Sequence, residues 1–85
     1  MNKPKLLCVY DGRGLDFYEL QKYLQEGEYL MVYSIFNGQE AMHHIGDEEN
    51  FKWFIAQANF GYYSGLRFYA SPNGSLNVND YDTSG

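Results

Sequence analysis

A chain of 85 residues with a net charge of −5 is long enough for one domain and too short for two. Its excess of carboxylates repels nucleic-acid phosphate and anionic membrane surfaces. The single cysteine, Cys8, excludes an internal disulfide and favours a reducing compartment. Because the sequence shows neither a signal pattern nor an apolar run of about 20 residues, we expect a cytoplasmic protein.

The first part of the chain predicts a strand followed by a helix. The apolar run at 6–10 is typical of a buried strand that ends in a glycine-rich turn. Asp16 can cap a helix, and Glu19, three positions later, completes the spacing of a capping box. Because Gly27 supplies the left-handed stop at which many helices end, this helix is predicted over 17–26.

A β-hairpin is predicted next. The segment 29–36 is apolar on both alternating faces, which is typical of a central strand. Asn37 and Gly38 form the dipeptide favoured in type I′ turns. The chain should therefore return as a second strand over 40–45.

A second helix, predicted over 48–59, carries the only tryptophan. Asp47 has the side chain of an N-cap, and Glu48 and Glu49 place negative charge in the first turn, where the helix dipole favours it. The apolar face of this helix consists of Phe51, Phe54, Ile55 and Ala58. Trp53 is rotated by about 200° from the first of these, so we expect its ring to be at least partly exposed.

The rest of the chain predicts a strand and a final hairpin. Alternating apolar and polar side chains over 66–70 predict the strand, and 71–74 has the composition of a type I turn. Leu76 and Val78 continue the alternation, so a last strand is expected there. Residues 80–85 are polar and acidic, and we expect them to form a flexible tail.

The element order β-α-β-β-α-β-β predicts one compact α+β domain over 1–79, followed by the flexible acidic tail 80–85. We expect a two-layer sandwich with two helices on one face of an antiparallel or mixed sheet of about four to five strands. This is the ferredoxin-like arrangement with an added C-terminal strand. A different two-layer order is the alternative.

No motif in the sequence predicts catalysis, a cofactor or a metal ion. The turn at 11–14 lies between a strand and a helix, but it lacks the glycine fingerprint and the lysine of a phosphate-binding loop. His43 and His44 are adjacent on a predicted strand, so they point to opposite faces and cannot easily chelate one ion. Cys8, within an apolar run, is expected to be a buried, inert thiol. We therefore expect a protein that is not an enzyme.

The aromatic content predicts a binding surface instead. One Trp, nine Tyr and six Phe exceed what the thin core of so short a chain can enclose, so some rings must be exposed. Tyr and Trp are enriched at the hot spots of protein interfaces, and nearby carboxylates steer a basic partner towards them. The candidate partner-binding residues are Trp53, Tyr62, Tyr63, Tyr69, Asp47, Glu48 and Glu49. Phe51, Phe54 and Phe68 are assigned to the core.

In size, acidity and aromatic content, the chain resembles the small inhibitors encoded by phages and mobile elements, including anti-restriction and anti-CRISPR proteins. The resemblance rests on size and composition and assigns no residue. It implies a host protein with a basic surface as the partner, such as a nucleic-acid-binding enzyme in the host cytoplasm. Partial mimicry of phosphate by carboxylates, combined with aromatic anchoring, is the mechanism it suggests.

Two alternative partners stay open. Arg67, Phe68 and Tyr69 on one strand, with Tyr33 on a neighbour, suggest the aromatic sheet of an RNA-recognition domain. The order of residues at 64–69 departs from the motif of that family, and the net charge of −5 opposes nucleic-acid binding. A second copy of the chain is the other alternative.

Overall fold

The computed structural model describes residues 3–84, which form a four-stranded antiparallel sheet and two α-helices. The strands are β1 Lys5–Val9, β2 Tyr29–Phe36, β3 Gln39–His44 and β4 Gly65–Ser71, and the helices are α1 Phe17–Gln21 and α2 Glu48–Asn59. A short 3-10 turn, Val78–Asp80, follows β4. The predicted α+β class is confirmed, as are the hairpin turn at 37–38 and the bounds of the second helix.

The strands are ordered β1-β4-β2-β3, and every neighbouring pair is antiparallel. The predicted ferredoxin-like order is therefore not strictly followed. β2 and β4 take the two central places because their side chains are largely buried on both faces. β1 is an edge strand rather than the predicted buried one, and its Leu6 and Val9 are exposed. A run of five apolar residues cannot distinguish a central strand from an edge strand.

The main core lies between the helices and one face of the sheet. α1 contributes Phe17 and Leu20, and α2 contributes Phe51 and Phe54. The two residues of each pair are three positions apart in the sequence, so they lie on the same side of their helix. The sheet side of this core consists of Leu30, Val32, Leu66 and Phe68. The predicted core positions of Phe51, Phe54 and Phe68 are thus confirmed.

The chain that follows β4 covers the opposite face of the sheet. Tyr81 is buried there, and its ring meets the ring of Tyr69 edge to face at a centroid distance of 5.0 Å. The Tyr69 hydroxyl donates to the carbonyl oxygen of Asp82 at 2.6 Å, and the Arg67 guanidinium donates to the carbonyl oxygen of Thr83. A second, smaller core results, made of Met31, Tyr33, Met42, Tyr69 and Tyr81.

No strand forms around Leu76 and Val78 in the described chain, so the predicted final hairpin is wrong. Side chains bind the backbone N–H groups that a strand would pair. Ser75 Oγ accepts a hydrogen bond from the Asn77 N–H at 3.2 Å, and Asn77 Oδ1 accepts one from the Asn79 N–H at 3.0 Å. Within the predicted tail, Tyr81, Asp82 and Thr83 contact the covered face, whereas Gly85 lies outside the described residues.

Both helices begin at the predicted caps. Asp16 Oδ1 accepts from the backbone N–H of Tyr18 at 2.9 Å. Asp47 Oδ1 accepts from the backbone N–H of Asn50 at 2.8 Å. Each bond satisfies an N–H group that has no partner within its helix.

α1 ends at Gln21, earlier than the predicted 26. The N–H groups of Tyr23 and Leu24 bind carbonyls three residues back, which tightens the chain into a turn. The N–H of Gln25 then binds the carboxylate of Glu28 at 2.7 Å, so the helical ladder is not continued. Within residues 3–84, neither helix combines the length and the apolar character needed to cross a membrane.

Candidate protein-binding surface

Trp53 projects from the outer side of α2. It is 51% exposed, which confirms the exposure predicted from its helical rotation. Its ring meets the ring of Phe54 edge to face, with centroids 5.0 Å apart and planes at 88°. Since Phe54 is buried in the main core, the indole is supported on one side and open to solvent on the other.

A shallow hollow with acidic walls borders Trp53. Its other lining residues are Asp47, Glu49 and Asn50. Asp47 is placed there by its role as the N-cap, and Glu49 by its position in the first turn of α2. The structure therefore brings three of the predicted partner-binding residues together: Trp53, Asp47 and Glu49. We call these three residues the Trp53 surface.

Glu48 lies on the other side of the same helical turn, where it joins the two helices. Its carboxylate accepts a hydrogen bond from the Tyr18 hydroxyl at 2.8 Å and pairs with the Lys52 ammonium at 3.3 Å. The hydrogen bond to Glu48, followed by the charge of that carboxylate, raises the pKa of Tyr18. Glu48 is thus not part of the Trp53 surface, although it was predicted to bind a partner together with Asp47 and Glu49.

Tyr62 and Tyr63 follow α2 and extend a chain of ring contacts. Tyr62 stacks on Phe36 at 4.3 Å with planes 11° apart, and it meets Tyr63 edge to face at 5.1 Å. Tyr63 in turn contacts Phe54 at 5.9 Å. The contacts therefore run from Phe36 through both tyrosines and Phe54 to Trp53. Tyr63 is partly buried, and this burial raises the pKa of its hydroxyl. Tyr62 is the more exposed of the two tyrosines.

Phe60 is a surface aromatic residue outside the predicted partner-binding set. It is 87% exposed, and its backbone keeps helical dihedral angles just beyond α2. A separation of seven residues corresponds to about two helical turns, so Phe60 lies on the same face as Trp53. That spacing is the sequence signal that identifies it.

Tyr69 does not lie on this surface. It is 1% exposed beneath the C-terminal segment, and burial raises the pKa of its hydroxyl. The alternation along β4 places it on the face away from the helices, but that face is itself covered. Tyr33 and Phe68 are also buried, so none of these three aromatic rings offers an open face for a nucleic-acid base.

The two histidines lie on opposite faces of β3, as predicted. His43 faces the main core, where its Nε2 is 3.2 Å from Ser34 Oγ and its ring is 5.0 Å from that of Phe54. Burial lowers the pKa of His43. His44 lies against the ring of Tyr29 at 5.4 Å. In the described part of the chain, no three His, Cys, Asp or Glu side chains converge as a metal site requires.

The segment 11–14 forms a turn that its own side chains stabilise. Asp11 accepts from the backbone N–H of Arg13 at 3.1 Å and pairs with the Arg13 guanidinium at 3.3 Å. Cys8, on the preceding strand, is half-buried rather than fully buried. Desolvation and then the charge of Glu19 raise the pKa of its thiol, so it is mostly protonated at neutral pH and a poor nucleophile.

Comparisons with protein-family models, with curated proteins and with solved structures found no match to this chain.

Proposed function

We propose that the chain is a non-enzymatic protein-binding module that inhibits its partner, in the manner of the phage and mobile-element inhibitors it resembles in size and composition. The partner is a host protein with a basic surface that binds nucleic acid. The observation that carries this proposal is the half-exposed ring of Trp53, supported by Phe54 and flanked by the carboxylates of Asp47 and Glu49.

The geometry of Trp53 suits an interface anchor. Its contact with Phe54 limits the movement of the indole, so binding would restrict the ring little further. An arginine of the partner can stack on the open face of the indole while it pairs with Asp47 or Glu49. Stacking on an aromatic face and pairing with a carboxylate both favour the planar guanidinium.

The charge of the chain supports a basic partner. With 11 acidic and 6 basic residues, the net charge of −5 accelerates encounter with a positively charged surface. On a nucleic-acid-binding protein, the carboxylates take positions that phosphates would occupy. Eleven carboxylates are few for complete mimicry of a nucleic acid, so the aromatic anchor supplies much of the affinity.

The two alternative partners have less support. Direct nucleic-acid binding would need exposed rings on the sheet, and Tyr33, Phe68 and Tyr69 are all buried. A second copy of the chain would bring like charges together at the Trp53 surface. An acidic surface beside an exposed tryptophan fits a basic protein better than it fits nucleic acid or a second copy of the chain.

Capture from a lysate of the natural host, with and without nuclease treatment, tests the proposal. We expect the tagged chain to retain a protein that itself binds DNA or RNA, and to do so after nuclease treatment. The purified chain should then displace nucleic acid from that protein, and Trp53→Ala should lose this displacement. Tyr23→Ala is the matched control, because Tyr23 is an aromatic residue that is 53% exposed outside the Trp53 surface. Capture that needs nucleic acid, or a captured protein from which the chain displaces no nucleic acid, would overturn the proposal. Displacement that survives Trp53→Ala would overturn the role of Trp53 as the anchor.

A further inference from the structure

A second concave feature, the interhelical groove, lies between α1 and α2. It has a volume of about 680 Å³. Its apolar lining comes from Leu15, Phe17, Phe51, Ile55 and Ala56. The groove is distinct from the hollow at Trp53, because the two share no lining residue.

The rim of the interhelical groove is acidic. Asp16, Glu19 and Glu48 place three carboxylates along it, against the single ammonium of Lys52. That ammonium is paired with Glu48 at 3.3 Å, so it offsets one of the three charges. The rim therefore attracts cationic side chains, while the lining offers apolar contact area.

The size of the groove suits a peptide. Its lining residues on α2 extend from Glu48 to Asn59, and 11 residue steps of helix span about 16 Å. A bound segment of about three helical turns has the same length. Helix-in-groove recognition typically uses such a segment, with apolar side chains inside the groove and polar ones at its edge.

We propose that the interhelical groove docks a short, basic, amphipathic segment of the partner protein, a proposal that rests on the proposed protein-binding function. The acidic rim selects Lys and Arg on the segment, and the apolar lining takes its hydrophobic face. A second copy of this chain is disfavoured as the occupant by its own net charge of −5. Nucleic acid is disfavoured for the same reason.

The test uses the ¹⁵N-labelled full chain and a synthetic probe. The probe is a blocked peptide of about 12 residues, made of Leu, Ala and Lys with leucines on one helical face, roughly 18 Å long as a helix. Its matched control carries Glu in place of each Lys. The indole N–H of Trp53 gives a single resonance, since the chain has one Trp, and it reports on the hollow independently of the groove.

We expect the basic peptide to shift the amide signals of Leu15, Phe17 and Ala56 and to leave the Trp53 indole signal in place. The acidic peptide should shift none of these signals. Ala56→Arg places a long cationic side chain in the groove and should weaken binding at least about tenfold. Ala56 is exposed on α2 and Arg is a good helix former, so this variant should keep its fold. Glu19→Gln should weaken binding about two- to threefold, whereas Glu26→Gln, an equal charge change outside the groove, should not.

Absence of binding at millimolar peptide would overturn the groove assignment, as would binding that Ala56→Arg leaves unchanged. Shifts confined to the Trp53 indole would overturn it too, while leaving the proposed function intact. The role of Trp53 can fail on its own. If the basic peptide binds the groove and Trp53→Ala still displaces nucleic acid from the captured protein, the role of Trp53 is refuted and the groove assignment stands. The two proposals therefore fail separately.

Discussion

The ring of Trp53 stands edge-on to the ring of Phe54, with centroids 5.0 Å apart and planes at 88°. Trp53 is 51% exposed, whereas Phe54 is 3% exposed. An exposed ring that rests on a core ring is held in place without being needed to fill the core. This relationship separates what Trp53 contributes to binding from what it contributes to folding.

The C-terminal segment is predicted to stabilise the domain through Tyr81. Replacing this residue by Ala removes a ring that is 5% exposed and packs on Tyr69, and it also removes the hydrogen bond from the Tyr81 hydroxyl to the carbonyl oxygen of Ser75. We expect a loss of about 3 kcal/mol in the free energy of unfolding, measured with urea. Tyr23→Ala, at an exposed site, should cost less than about 1 kcal/mol. Equal losses in the two variants would mean that Tyr81 does not hold the segment on the sheet.

His43 is predicted to make stability depend on pH. Burial lowers its pKa in the folded state, so just below the ordinary histidine value of about 6.5 the unfolded chain binds a proton that the folded chain does not. Its contribution is therefore present above about pH 6.5 and is lost as the pH falls through the folded pKa. The free energy of unfolding, measured with urea across this pH range, should rise with pH. Part of that rise should be absent in His43→Gln. A rise that His43→Gln leaves unchanged would contradict this role of His43.

Asp47 is predicted to have two separable roles. Its side chain caps α2 through a 2.8 Å bond to the Asn50 N–H, and its charge belongs to the Trp53 surface. Asp47→Ala should cost about 1 kcal/mol of stability and should also slow association with a basic partner. Asp47→Ser should keep most of the stability, since serine is a good N-cap, and should lose the charge effect alone. Thermal unfolding measures the capping role, and association rates at low salt measure the charge role. Equal destabilisation by both variants would rule out the capping role.

Local signals predicted much of this fold. Asp16 and Asp47 cap the helices, and Asn37 and Gly38 form the hairpin turn, because each acts through bonds or dihedral angles within a few residues. The rotation of Trp53 away from the core could be predicted for the same reason. It follows from helical geometry and needs no knowledge of distant contacts.

The errors have two sources, which are contacts between distant parts of the chain and local bonds from side chains to the backbone. Tyr69 was predicted to bind a partner, yet the folded chain shows that Tyr81 covers it. The continued alternation at Leu76 and Val78 suggested a strand, but Asn77 binds the backbone N–H of Asn79 and a 3-10 turn forms instead. Strand order likewise depends on which strands can be covered on both faces, a property of the whole sheet.

Trp53→Ala, assayed on one preparation for melting temperature and for binding to the captured partner, tests the central claim most directly. Since the residue is 51% exposed, we expect a stability cost of about 1 kcal/mol and a melting temperature within roughly 8 °C of the wild type. Binding should weaken by about 2 kcal/mol, roughly thirtyfold. Unchanged binding, together with a loss of about 3–5 kcal/mol in the free energy of unfolding, would contradict the account and show that Trp53 serves the fold.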